Sequence, residues 1–295
     1  MAETVECVPN VSEGRRPEVV AALVGAVQVP GVRLLDRHGD ADHNRTVLTL
    51  AGPPAPLAEA AFRLAEAAVQ NIDLTRHRGA HPRMGAIDVI PFVPLGGAMP
   101  ECVELARGLA RRLGGELGLP AYLYGAAAEP GRPAGLAQIR DGGFERLLAL
   151  GDALPAPDFG PARLHPTAGA VAVGARPPLI AFNVVLEGVD LAGAARIARA
   201  LRASGGGLAA VQAIALPLAS RGAVQVSMNL LDHGVTSLAE VVARLRTLTA
   251  GEGGDVVEAE LVGLIPAAAL RGLDDDPLPG LPGRERTIEA RLGAG

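Results

Sequence analysis

Apolar residues recur along this chain with a period that switches repeatedly between helix and strand spacing. Residues 17–27 carry Val20, Leu23, Val24 and Val27 at helical spacing, and residues 56–72 do so through Leu57, Ala61, Leu64, Ala68 and Ile72. A third helix is predicted over 102–117, with Val103, Leu105, Leu109 and Leu113 on its apolar side. Runs of β type lie between them: 4–8, ended by Pro9; 32–36 and 46–51, joined by the polar loop 38–44; 86–92; and 121–124. The Pro- and Gly-rich stretch 126–166 predicts short helices at 136–140 and 144–148, then an irregular connection over 152–166 that is either functional or a linker.

Alternation resumes with strands at 170–173 and 179–186, a helix at 191–203, a Gly205-Gly206-Gly207 turn, strands at 211–218 and 224–229, a helix at 237–248 and a strand at 256–265. Ser237 and Glu240 have the spacing of a capping box. The tail 274–295, rich in Pro, Gly and charge, reads as loosely held. The second half therefore runs β-α-β-β-α-β, and the first six elements of the first half run the same way. That order predicts an α+β protein of two ferredoxin-like α/β-sandwich subdomains, residues 1–178 and 179–295.

Composition narrows the function. Hydrophobic residues make up 49% of the 295, with five Phe, two Tyr and no Trp, so aromatic platforms for single-stranded nucleic acid are not expected. Net charge is −5 and no basic run exceeds two residues, so neither nucleic acid nor a membrane surface is an expected partner. The start, Met1-Ala2-Glu3-Thr4-Val5-Glu6, has no basic leader, and no apolar window of membrane-spanning length appears, which predicts a cytoplasmic protein. Cys7 and Cys102 lack metal-type spacing and read as ordinary thiols.

Four segments could carry chemistry. Residues 71–94, NIDLTRHRGAHPRMGAIDVIPFVP, gather His77, His81, Arg78, Arg83, Asp73 and Asp88. Two His four apart could bind zinc on a helix, but Gly79 and Pro82 oppose a helix there, so a proton-accepting His or a structural cluster remain the readings. Residues 36–45, DRHGDADHNR, are a solvated hairpin loop, or carboxylates that orient a catalytic imidazole with Arg45 meeting an anion. In residues 6–14, Asn10 and Glu13 are candidates to face a pocket. Residues 158–169, DFGPARLHPTAG, read as a linker or as exposed backbone that recognises a flat heterocycle. No dinucleotide fingerprint, phosphate loop or serine-hydrolase elbow is present.

At these segments the chain resembles the formiminotransferase family, the transferase portion of the animal formiminotransferase-cyclodeaminases. The resemblance rests on VECVPNVSEG, DHNRTV, IDLTRHRGAHPRMGAIDVIPFVP, ELGLPAYLYGAAA, PDFGP, AVGARPPLIAFNV, VQVSMNLLD and ELVGLIP, from Val5 to about Pro266. It implies transfer of the formimino group of N-formimino-L-glutamate to N5 of tetrahydrofolate, a co-substrate, in histidine breakdown. It also implies a homodimer, a folate channel between the two subdomains, and no metal. The family's catalytic His falls on His81, and its folate stretch on Gly160, Pro161, Ala162, Arg163, Leu164, His165, Pro166, Thr167, Ala168 and Gly169. Asn10, Arg45, Arg78 and Arg83 are the candidate substrate ligands. Two departures stand out. His38 occupies the place of a family Asp, leaving Asp40 and Asp42 as candidates to orient His81, and Ala168 occupies the place of a Trp. A formyl-glutamate or formiminoglycine donor, a non-catalytic folate-binding protein, and a metal-dependent hydrolase using His38, Asp40, Asp42 and His43 are the competing readings.

Overall fold

The computed structural model describes residues 4–273 and 276–293. Met1–Glu3, Asp274, Asp275, Ala294 and Gly295 lie outside the described residues, and with them parts of the expectations about the start and the tail. The chain forms two compact units, Met1–Arg176 and Pro177–Gly295.

The first unit is built on one mixed sheet. Strands β1 (Val5–Cys7) and β2 (Asn10–Val11) form a broken leading strand, followed by α1 (Pro17–Ala26), β3 (Arg33–Asp40), β4 (Arg45–Gly52), α2 (Pro54–Asn71) and β5 (Ile87–Pro94). Then come α3 (Met99–Glu116), β6 (Ala121–Gly125), the short α4 (Leu136–Ile139) and α5 (Gly143–Leu150), and β7 (Val171–Ala175). The sheet runs β3, β4, β1 with β2, β5, β7, β6; the first pairs are antiparallel and β5–β7 and β7–β6 are parallel. β5 is central and buried along seven of its eight positions, which is why it reads as a nearly continuous apolar run, interrupted by Asp88. On α2, Leu57, Ala60, Ala61, Leu64, Ala65 and Ala68 form one buried stripe against that core.

The expected polar loop 38–44 is shorter than its composition suggests. β3 continues to Asp40, with His38 opposite Val47 and Asp40 opposite Arg45. The strand tolerates these polar residues because Asp36, His38 and Asp40 alternate with the exposed Arg37 and Gly39, so neither face needs an apolar run.

The second unit carries β8 (Ile180–Glu187), α6 (Leu191–Leu201), β9 (Val211–Leu218), β10 (Ala223–Leu230), α7 (Leu238–Gly251) and β11 (Asp255–Val262). Its sheet is antiparallel, in the order β11, β8, β10, β9, with α6 and α7 packed together over it. Ser237 caps α7 as its spacing predicts, accepting from Glu240 N at 3.2 Å. The described part of the tail is not loose. Arg246 makes two 2.6 Å bonds to Asp276, Leu278 and Ile288 are buried, and Ile288 N donates to Ile265 O at 3.0 Å. Its scattered apolar residues insert singly into the core, a pattern with no period to read.

Candidate active site

Three loops of the first unit converge: residues 12–16, the turn 41–44 between β3 and β4, and residues 72–86 between α2 and β5. Two glycines permit the approach. A Cβ on Gly79 would lie 2.2 Å from His43 O, and one on Gly14 would lie 2.3 Å from Asp40 O. Backbone and amide groups then tie the loops. Ala80 N donates to Asp42 O at 3.0 Å; Asn44, in the left-handed region at φ 50°, accepts Gly14 N on Oδ1 at 2.9 Å and donates Nδ2 to Arg78 O at 3.0 Å. Ser12 Oγ donates to Gly85 O at 2.7 Å.

Three imidazoles sit in this frame. His77 is buried; Nε2 faces Asn44 O at 2.9 Å and Nδ1 accepts from Arg83 Nε at 2.8 Å, a pattern that fits the neutral Nε2–H tautomer. Burial, and next the Arg83 charge, lower its pKa. His81 has the opposite tautomer: Nδ1–H points at Pro82 O at 2.7 Å, and Nε2 accepts from Arg45 Nη1 at 2.8 Å. Burial lowers its pKa well below the ordinary histidine value, helped by Arg45, Arg140 and His43. His81 is thus a neutral imidazole near pH 7, the form that accepts a proton. His43 is buried with its ring centroid 5.8 Å from that of His81. Ser12, Arg45, Asp88, the three imidazoles, Asn44 and Arg83 line a small cavity of about 10 Å³.

Asp40 turns towards His43, accepting its backbone N–H on Oδ1 at 2.7 Å, with Oδ2 3.7 Å from its ring Nδ1. The ring nitrogens of His81 meet Pro82 O and Arg45 as described. Arg78 is exposed and donates to His77 O at 2.8 Å. Asn10 sits in β2, donates to Val8 O at 3.1 Å, and does not line this cavity.

Arg83 is fully engaged. It clasps Glu145 with two bonds of 2.9 and 2.7 Å while Nε serves His77. That pairing holds the Glu145 carboxyl down at about 2. From the same segment as Glu145, the Arg140 guanidinium lies 2.5 Å from the buried Asp88 carboxylate, whose other oxygen accepts Met84 N at 2.8 Å. Phe144 N also donates to Arg83 O at 2.8 Å. The α4–α5 segment is therefore clamped onto the His77–Asp88 stretch. Sequence reasoning missed Arg140 and Glu145 because they lie 52 and 62 positions along the chain from their partners; the irregularity of that stretch was the only signal.

The candidate folate stretch adjoins the same loop. Thr167 O accepts Leu74 N at 2.8 Å, Ala168 O accepts Ala86 N at 2.9 Å, and His165 and Gly169 exchange two 3.0 Å backbone bonds. The expectation of exposed backbone is therefore corrected at residues 165, 167, 168 and 169: these groups are spent on holding the loop, and Ala168 is buried. Among the described residues no group of three or more His, Cys, Asp or Glu side chains is placed to hold a metal ion. None of the described helices is long and apolar enough to cross a membrane.

The chain matches the family model of the formiminotransferase domain, N-terminal subdomain, over residues 4–176, and that of the formiminotransferase domain over residues 181–274. It is 45% identical to the glutamate formimidoyltransferase of Streptococcus pyogenes serotype M1, covering 92% of this chain and 91% of that one. It is 44% identical to the glutamate formimidoyltransferase of Thermoplasma acidophilum over 90% of this chain and 89% of the other. It is 45% identical to the formimidoyltransferase-cyclodeaminase of Sus scrofa over 92% of this chain and 51% of that longer protein. The loops that enclose His77 and His81 fall within the N-terminal match, and the chain belongs to the formiminotransferase family.

Proposed function

We propose that this chain is a glutamate formimidoyltransferase that moves the formimino group of N-formimino-L-glutamate to N5 of tetrahydrofolate, with His81 as general base. The observation that carries the reading is a neutral His81 beside the cationic Arg45, in a chain 44–45% identical to two glutamate formimidoyltransferases.

The chemistry needs little else. N5 of tetrahydrofolate attacks the formimino carbon and must lose its proton as the new C–N bond forms. Nε2 of His81, freed as Arg45 Nη1 turns to the donor carboxylate, takes that proton, then returns it to the glutamate nitrogen as the old C–N bond breaks, leaving L-glutamate and 5-formiminotetrahydrofolate. Such proton transfer contributes roughly 10²–10⁴-fold, and holding the two substrates together supplies much of the rest. Arg45 supplies positive charge for a donor carboxylate, with Asn10 and Arg78 as further ligands. Arg83 serves by fixing His77, and Asp40 through His43. Asp42 stays a candidate catalytic carboxylate, and residues 160–169 the folate stretch. The element order of each unit supports ferredoxin-like subdomains. We extend the reading to a cytoplasmic homodimer in histidine breakdown, with no metal required.

The test is direct. With formiminoglutamate and tetrahydrofolate the protein should form 5-formiminotetrahydrofolate, and His81→Ala should lose at least about a hundredfold in turnover while still binding folate. Near-normal turnover by that variant would falsify the general-base role. Formyl-glutamate and formiminoglycine, offered at fixed tetrahydrofolate, separate the possible donors.

A further inference from the structure

A second, larger cavity of about 280 Å³ adjoins the small one and shares Asn44 and His77 with it. Its wall carries three arginines, Arg15, Arg16 and Arg76, against two carboxylates, Glu13 and Asp73. The charges are not equally available. Glu13 is buried, and its oxygens are spent on Arg15 N at 2.8 Å, Arg16 N at 2.9 Å and Arg16 Nε at 2.6 Å. Glu13 and Arg16 therefore answer each other. Arg15 uses Nε on Ala41 O at 2.7 Å and keeps its terminal amino groups. The Arg76 guanidinium makes no side-chain hydrogen bond among the described residues, and, after the Thr75 hydrogen bond, its charge helps lower the pKa of the neighbouring Asp73. Asp73 is turned onto its own turn, accepting from Thr75 N at 3.0 Å and Thr75 Oγ1 at 2.7 Å. Three guanidinium groups thus line the recess against two carboxylates, of which Glu13 is fully used and Asp73 is held at Oδ1 by its own turn, which leaves the recess net positive.

We propose that this cavity is a carboxylate subsite that holds a glutamyl group through Arg15 and Arg76, next to the base. At about 280 Å³ it has room for an amino-acid-sized group. Guanidinium forks match carboxylates bidentately, so the chemistry selects a carboxylate over a neutral group of the same shape. The glutamyl group could belong to the one-carbon donor or to the tail of folate; naming these two rests on the proposed function, whereas the carboxylate preference rests on the cavity alone.

The experiment compares wild type with Arg15→Gln, Arg76→Gln and the double variant, with Arg63→Gln, from an exposed pair with Glu59, as the control. Binding of N-acetyl-L-glutamate, which has no formimino group to transfer, and of its dimethyl ester is followed by calorimetry. The expected result is binding of the diacid, no binding of the diester, and about a tenfold loss of diacid affinity per Arg removed. Steady-state kinetics then identify the source. A tenfold fall in kcat/KM that appears when formiminoglutamate is varied assigns the subsite to the donor. A fall that appears only when tetrahydrofolate is varied assigns it to the tail. Unchanged diacid binding and unchanged kcat/KM for both substrates in a folded double variant overturn the proposal. If wild type turns over none of the donors, the proposed function fails, yet the binding arm still decides the subsite.

Discussion

Arg45 Nη1 donates to His81 Nε2 at 2.8 Å, so a permanent cation rests on the lone pair that a general base would use. With Nδ1–H held by Pro82 O at 2.7 Å, the imidazole is fixed in one tautomer and opposed in its charged form. Burial is the larger cause of the lowered His81 pKa, and Arg45 comes next. Arg45→Gln is therefore expected to raise the His81 pKa towards the ordinary value of about 6.5. The neutral form is the base, so the acid limb of kcat/KM should move to higher pH by the same amount. The His81 Cε1–H resonance, followed by NMR through the titration, checks this; an unmoved titration would show that burial alone sets the value.

His77 and His81 also link folding to pH. Both folded pKa values lie below the unfolded value of about 6.5. Between the two values the unfolded chain binds more protons than the folded chain, so stability rises with pH there. The contribution is complete above about pH 6.5 and is lost as pH falls through that window. Glu145 acts lower down. With its carboxyl held at about 2, its contribution is complete above its ordinary value of 4.5 and is lost progressively as the pH falls from there to about 2, and it is small because the side chain is largely exposed. The unfolding temperature should thus be level from pH 8 to 7 and decline below about 6.5, with a shallower decline in His77→Gln. Scanning calorimetry across that range measures it.

The sequence carried this much because the elements that hold the site have strong periods and the loops that form it have unusual composition. The apolar stripe of α2 and the nearly continuous run of β5 bracket the residues 72–86, so the position of His77 and His81 between them was legible. The His81 partner was not. The expectation looked for a carboxylate, whereas Nε2 meets Arg45, whose approach depends on the β3–β4 register, and Nδ1 meets the next residue's carbonyl. Nor could the clamp by Arg140 and Glu145 be read, since α4 and α5 are short and pairing at such separation leaves no local pattern.

The Asp88–Arg140 pair gives a stability test. Asp88 is 2% exposed and projects from the central strand, so removing it strands a mostly buried guanidinium. Asp88→Ala is expected to cost about 3–5 kcal/mol, as breaking one half of a buried pair does. Asp88→Ala combined with Arg140→Met should recover part of that loss, because the uncompensated charge is gone. Urea midpoints at unchanged slope report the stabilities, and a double variant no better than the single one would count against a desolvated charge as the cause.

Glu145 should behave in the opposite way, weak for folding and strong for turnover. Its side chain is 61% exposed, so the ion pair with Arg83 contributes less than about 1 kcal/mol to stability. Its geometric role is larger: the two bonds aim the Arg83 fork, whose Nε fixes His77, whose Nε2 faces the carbonyl of Asn44, the residue before Arg45. Glu145→Gln keeps one acceptor for Arg83 and gives up the charge, whereas Glu145→Ala gives up both. The expected order of kcat/KM is wild type, then Gln, then Ala at about tenfold to a hundredfold below wild type, a range in which small misplacements of reacting groups fall. Unfolding free energies should stay within about 1 kcal/mol of wild type throughout. The NMR signals of the His77 ring should shift in the same order as the rates, because each substitution loosens the group that holds Nδ1. Equal rates in all three proteins, with the His77 signals displaced, would mean that turnover does not depend on how His77 is held.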